Sequence, residues 1–201
     1  MKLFYHHCSP GFSNCYILGT ETSDAIIIDP GNMDINILKT IESNNFNLRG
    51  VFITHGHKSH VRGLATLKRI YDVEVFAINQ AIQEHKTTMV KDGNKINIGG
   101  INIEVISVPG HSSDSVVYLT GMMLFTGDAL TAGFVGTTSS SYGAATQMKK
   151  LRGRVLSLPG DYIVLPGHGP PSTLEAERCF NHDIINFDIN RNRKPVFRVS
   201  S

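Results

Sequence analysis

Four apolar runs in this chain each end in a histidine or an aspartate beside glycine. VFIT (Val51–Thr54) leads into HGHKSH, INIEVISV (Ile101–Val108) into PGH, MMLFT (Met122–Thr126) into GD, and YIVL (Tyr162–Leu165) into PGH again. Short runs of this composition read as strands, and INIEVISV alternates as a half-buried strand should. Proline and glycine at their ends let the backbone turn sharply. A fold that satisfies all four must gather distant strand ends, so that the polar tips meet where loops converge.

The remaining patterning fills in the elements. CYIL (Cys15–Leu18) and AIIID (Ala25–Asp29) read as strands, the second stopped by Pro30 and Gly31. Ile37, Leu38 and Ile41 share one helical face, and Val61, Leu64, Leu67 and Ile70 share another. The HGHKSH cluster therefore sits on a strand-to-helix turn. VEVFAI (Val73–Ile78) predicts a strand, after which Asn79 is placed to cap a short helix. VVYL (Val116–Leu119) and MMLFT predict a hairpin across Thr120-Gly121, followed by a loop over Thr131–Gly143. Helices are expected over Ala144–Leu156 and Thr173–Asp183. Strands alternating twice with helices predict an α/β fold, with sheets packed together and helices outside.

Six side chains at the strand tips can bind a cation: His55, His57, His60, His111, Asp128 and His168. Five of the nine histidines lie in these motifs, which separates them from His6, His7, His85 and His182, read as surface or structural. Imidazoles joined by a carboxylate suit zinc, iron or manganese. A net charge of +2 points to no nucleic-acid partner, and the basic stretch Lys149, Lys150, Arg152, Arg154 reads as a solvated helix face. Cys8, Cys15 and Cys179 form no CxxC pair, so neither a zinc knuckle nor a disulfide framework is indicated. No apolar run approaches the ~20 residues that span a bilayer. The expectation is one cytoplasmic domain over residues 1–201, loosely attached from about residue 185, acting on a small molecule.

The ordered motifs ITHGHKSHVRG, VPGHSSDSVVYL, FTGDAL and LPGHGPPST, with IIIDPG upstream, resemble those of the metallo-β-lactamase superfamily. With NCYIL they are most similar to its short glyoxalase II-like branch. The resemblance implies an αββα sandwich with one or two metal ions at the edge between the sheets. His55, His57 and His111 would hold the first ion, His60 and His168 the second, and Asp128 would bridge them. Asp29 would orient a ligand histidine from behind. The family's HxHxDH aspartate is replaced here by Ser59, a neutral and much poorer ligand, so the second ion is expected to be held less tightly. Ser59 itself is a candidate nucleophile, and Asp114, three residues past His111, is a candidate ligand or base. Lys58 and Arg62 flank the cluster where they would attract an anionic substrate. Tyr142, Ser139, Ser140 and Ser141 occupy the stretch where relatives carry substrate contacts, without the usual arginine. The stretch after His168 is too short for the helical glutathione-binding domain of full glyoxalase II enzymes.

Three functions follow in order of weight. The first is a metal-dependent hydrolase of a small ester, thioester or phosphodiester. The second is a catalytically impaired metal-binding or regulatory protein on the same scaffold. The third is a mononuclear iron oxidoreductase resembling persulfide dioxygenases.

Overall fold

The computed structural model describes residues 1–189. A first sheet contains β1 (Lys2–Cys8), β2 (Ser13–Gly19), β3 (Asp24–Ile28), β4 (Asn47–Phe52), β5 (Glu74–Ala77) and β6 (Thr88–Met89), side by side in chain order. It is antiparallel from β1 to β3 and parallel from β3 to β6. A second sheet contains β7 (Lys95–Ile98), β8 (Ile101–Ser107), β9 (Val116–Thr120), β10 (Met123–Gly127), β11 (Ile163–Pro166) and β12 (Ser172–Thr173). Here only β10 and β11 run parallel.

Why these sequences pack this way is visible in β2 and β3. Tyr16, Leu18, Ile26 and Ile28 point between the sheets, where they meet Val105, Val116, Tyr118, Phe125 and Leu165. Their neighbours Cys15, Ile17, Ala25 and Ile27 point the other way, against the helices α1 (Ile35–Ser43), α2 (Lys58–Val61) and α3 (Leu64–Ile70). A strand covered on both faces must be apolar at every position, which is why AIII shows no alternation. The outer face of the second sheet, with Ile106, Val117, Leu124 and Val164, is covered by α4 (Ser141–Lys150), α5 (Leu174–Phe180) and α6 (His182–Ile189). The four layers run α, β, β, α. Each fully buried aliphatic side chain contributes about 1.5–3 kcal/mol.

Aromatic packing fixes the strand that feeds the histidine cluster. Phe52 stacks on Phe76 at 4.5 Å and meets the edge of Tyr118 at 5.2 Å. The buried Tyr118 hydroxyl donates to Ile53 O at 2.9 Å, pinning the chain two residues before His55.

Several local expectations are corrected. Asn79 caps no helix: Ala81–Ile82 and His85–Lys86 form a small antiparallel ribbon, and the Asn79 amide donates to Asp114 instead. The loop expected over Thr131–Gly143 contains a ribbon of Leu130–Thr131 with Phe134–Val135. Helix α4 starts at Ser141 rather than Ala144, because the Ser140 hydroxyl accepts Gly143 N–H at 3.0 Å, and a π-helical turn over Leu151–Val155 completes it. The closing helix breaks at Asn181, whose side chain accepts from Asp183 N and Ile184 N and so starts α6. Beyond residue 185, α6 continues to Ile189, and Phe187 packs on the core beneath the Arg152 guanidinium at 5.2 Å. The basic tail 190–201 lies outside the described residues. Strand β1 had no patterning signal, since its burial is slight until Cys8.

Candidate metal centre

The strand tips meet as the motifs require. Asp29 follows β3, His55 and His57 follow β4, His111 follows β8, Asp128 follows β10 and His168 follows β11. His60 lies on α2, one turn beyond the β4 tip. Two groups of donor atoms form, each with its atoms within 4.8 Å of one another: His55, His57, His111 and Asp128, and then His60, Asp128 and His168. Asp128 belongs to both.

Hydrogen bonds behind the rings decide which nitrogen of His55, His60, His111 and His168 looks inward. Thr54 Oγ1 donates to Asp29 Oδ2 at 2.5 Å, since a carboxylate only accepts. Its oxygen is then an acceptor for His55 Nδ1–H at 3.2 Å, which leaves the lone pair on His55 Nε2. By the same logic His111 Nδ1–H donates to Thr137 O at 2.8 Å, and His60 Nδ1–H donates to Asp29 Oδ2 at 3.0 Å. His168 Nε2–H donates to Gly11 O at 3.1 Å, which turns its Nδ1 toward Asp128 at 2.8 Å. Asp29 also accepts Thr54 N–H at 2.8 Å and sits in the left-handed region at φ 50°, a strained backbone that costs about 1 kcal/mol or more. One buried carboxylate thus orients a histidine in each group.

The convergent atoms fit a cation. His55 Nε2 and His111 Nε2 both direct lone pairs at His57 Nδ1, at 3.0 and 3.1 Å, a repulsive arrangement unless a proton or cation lies among them. Asp128 Oδ2 lies 3.6 Å from His111 Nε2 and 3.8 Å from His55 Nε2. A tetrahedral zinc with ligands at 2.0–2.1 Å separates them by about 3.3 Å, the middle of this range. In the second group His60 Nε2 stands 3.3 Å from Asp128 Oδ2. Glycine is obligatory at position 167, where a Cβ would fall 2.4 Å from His60 Cε1 and 2.5 Å from Asp128 Oδ1.

Electrostatics divide the groups. Burial, aided by the nearby His60, lowers His55 to about 3, so its imidazole is neutral and ready to coordinate. Burial and His111 lower His57 as well. Burial opposes charge on His60, but Asp29 and Asp128 outweigh it and lift it to about 10. The Asp128 hydrogen bond raises His168, against burial. Asp128 in turn is held well below the usual carboxylate range: burial opposes this, but His168 and His60 prevail. His55, His60 and Asp29 are buried, whereas His57 is exposed and His111, Asp128 and His168 are partly exposed, so the cluster opens on one side.

Two candidate catalytic residues, Asp114 and Ser59, supply no atom to either donor group. Asp114 is buried behind the histidine loop, where Oδ2 accepts Gly56 N–H at 3.0 Å and the Asn79 amide at 2.7 Å, and Oδ1 accepts the Ser112 hydroxyl. It ties the His55–His57 turn to the His111 turn. The Ser59 hydroxyl has no hydrogen-bond partner among the described residues, so no base is in place to activate it; only its backbone carbonyl is engaged, by Ser13 Oγ at 2.5 Å. Lys58 and Arg62 are exposed on the α2 side, with Arg62 donating to Pro10 O at 3.1 Å. Tyr142 is exposed at the start of α4. Thr54, Thr137 and Gly11 escaped the sequence reading. Thr54 was adjacent to a motif, but the other two act through backbone carbonyls, which leave no side-chain signature.

The four-layer fold and the two donor groups on one shared aspartate define a metal-binding hydrolase-type scaffold. The chain belongs to the metallo-beta-lactamase superfamily, whose family model matches residues 8–168. It is 27% identical over 192 residues to the hydroxyacylglutathione hydrolase GloC of Haemophilus influenzae, covering 84% of this chain and 91% of that protein. The crystal structure of ETHE1 from Myxococcus xanthus superposes with a TM-score of 0.82 at 25% identity, covering 97% of this chain and 92% of the other. TTHA1623, solved in a di-iron-bound form, superposes with a TM-score of 0.77 at 26% identity, covering 89% and 98%.

Proposed function

We propose that this protein is a metal-dependent hydrolase of a small thioester or ester, with phosphodiesters as the next class to test. The observation that carries the reading is the first donor group: three imidazole nitrogens and a carboxylate oxygen converge, and two of the three imidazoles, His55 and His111, have their outer nitrogen occupied. Likeness to the hydroxyacylglutathione hydrolase supports a thioester within that class.

In this reading His55, His57, His111 and Asp128 hold one divalent ion, and His60, His168 and Asp128 hold a second. Zinc suits the donors, and iron or manganese also fit. An ion held there would supply Lewis acidity, enough to bring the pKa of water toward ~7. The chain's own work is orientation. Asp29, through Thr54 for His55 and directly for His60, holds a proton on each outer nitrogen, so that the inner nitrogen is the one left to face an ion. Asp128, ionised at any ordinary pH, offsets charge in both groups at once. Asp114 fixes the spacing between the turns that carry His57 and His111. Lys58 and Arg62 favour an anionic substrate on the exposed side. Ser59 leaves the second group with three protein donors against four in the first, so the first ion binds more tightly.

The test uses metal-replete protein, chelated protein and protein reloaded with zinc, iron or manganese, assayed on acyl thioesters, aryl esters and a phosphodiester. Turnover that chelation abolishes and reloading restores is expected. A metal-replete protein inert across the three classes would overturn the hydrolase reading and favour the regulatory one. The uneven donor groups favour one specific alternative, a mononuclear iron oxidoreductase. Iron purified at one equivalent per chain, with oxygen consumed on a thiol or persulfide substrate, is its signature.

A further inference from the structure

We propose that Asn14 is a positioning residue that aims the His168 imidazole at Asp128, an inference that rests on the two-group reading above. Asn14 is fully buried at the start of β2, far from His168 in sequence. Its backbone N–H donates to Gly167 O at 2.7 Å. Its side-chain Nδ2 donates to Pro166 O at 2.9 Å and to Gly169 O at 2.7 Å. Three carbonyls on both flanks of His168 therefore end on one residue.

The amide can sit only one way round. Carbonyl oxygens accept and never donate, so the end facing Pro166 and Gly169 must be the nitrogen. The other end, Oδ1, receives the Tyr5 hydroxyl at 2.9 Å. Pro166 ends β11, and Gly167 and Gly169 lie past it, so carbonyls here must find donors outside the strand ladder, the buried ones most of all. Asn14 supplies them across the loop, like a staple with His168 between its points. The turn that precedes Asn14 completes the hold, since Gly11 O accepts His168 Nε2–H at 3.1 Å. Backbone and ring of the same ligand are thus gripped by one short segment, residues 11–14. Tyr16 provides a contrast. Its hydroxyl also donates to Pro166 O, at 2.7 Å and equally buried, but among the described residues it makes no hydrogen bond to Gly167 or Gly169.

The experiment compares Asn14→Asp, Asn14→Ser and Tyr16→Phe with wild type, all as the full chain with ¹⁵N-labelled histidine. Asn14→Asp keeps the oxygen for Tyr5 but turns a second oxygen on two carbonyls. Asn14→Ser is the milder variant should Asn14→Asp fail to fold. Imidazole nitrogen shifts are read first without metal, and zinc is then titrated stepwise. The expected result is that the Asn14 variants move or broaden the His168 ring signals and leave those of His55 and His111 in place. Affinity for the second zinc equivalent then falls tenfold or more, while the first stays within threefold. Tyr16→Phe lowers the melting temperature yet leaves His168 and both equivalents as in wild type. Wild-type His168 shifts in both Asn14 variants would overturn the proposal, as would equal weakening of both equivalents. If wild type itself takes no second equivalent, the two-ion reading fails, and the metal-free His168 shifts still decide the role of Asn14.

Discussion

Replacing Asp29 with asparagine changes one atom and should disable both donor groups at once. The carboxylate accepts three hydrogen bonds, from Thr54 N, Thr54 Oγ1 and His60 Nδ1. Asparagine has one accepting oxygen, which the fixed backbone N–H of Thr54 claims. Its NH₂ then faces the Thr54 hydroxyl and His60 Nδ1, both donors in the native arrangement. Thr54 escapes the clash by rotating its hydroxyl toward His55 Nδ1, which forces the His55 proton onto Nε2. His60 escapes in the same way, with its proton on its own Nε2. Each inward nitrogen is then a donor where a cation needs a lone pair. Reversing such a tautomer against a buried, mismatched partner costs about 1–3 kcal/mol per site. That corresponds to about 5- to 150-fold in affinity for each ion, a range that brackets the usual effect of losing an outer partner of a ligand. Competition against a chromophoric zinc chelator measures it, with a thermal melt of the metal-free protein alongside. An Asp29→Asn protein that is folded and binds both equivalents within threefold of wild type would refute the tautomer argument.

Three further outcomes are expected. Ser59→Asp, placing a carboxylate beside His60, should tighten the second equivalent by at least about 100-fold, because opposite charges a few ångströms apart attract strongly even at an effective dielectric of about 20; unchanged stoichiometry at micromolar zinc would count against the second group. Since His60 carries a proton up to about pH 10 in the metal-free protein, an ion entering the second group must displace it. Affinity there should therefore fall by about tenfold for each unit of pH lowered from 8 to 6, with proton release visible as buffer-dependent calorimetric heats. Asp114→Asn can keep its oxygen toward Gly56 and Asn79 and should retain most activity, whereas Asp114→Ala, which orphans buried donors, should cost about 2–3 kcal/mol of stability. Turnover lost in Asp114→Asn with stability unchanged would instead make Asp114 a base.

The convergent donor residues were legible because their chemistry is carried by side chains at strand ends, and residue type and position both survive in a linear reading. Packed sheets with helices outside were legible in the twice-repeated alternation of strands and helices, and the αββα order came from the resemblance; that runs such as AIII are covered on both faces was seen only in the structure. Boundaries set by a single polar contact were not legible. Ser140 starts α4 early and Asn181 splits the last helix, each through hydrogen bonds that depend on where the backbone already lies. Asn79 illustrates the limit best, since its type suits a helix cap and only the nearness of Asp114 turns it to another task.

By itself the sequence determined which atoms are available to hold a cation: five imidazoles, one shared carboxylate, and a serine in place of an acid. Folding decided which nitrogen looks inward in four of them, His55, His60, His111 and His168. That choice belongs to Thr137 O, Gly11 O, Thr54 Oγ1 and the Asp29 carboxylate, partners fixed only when distant segments close on one another. A histidine offers two nearly equivalent nitrogens until a neighbour occupies one of them, so the ligand set is written in the chain and its lone pairs are aimed by the fold.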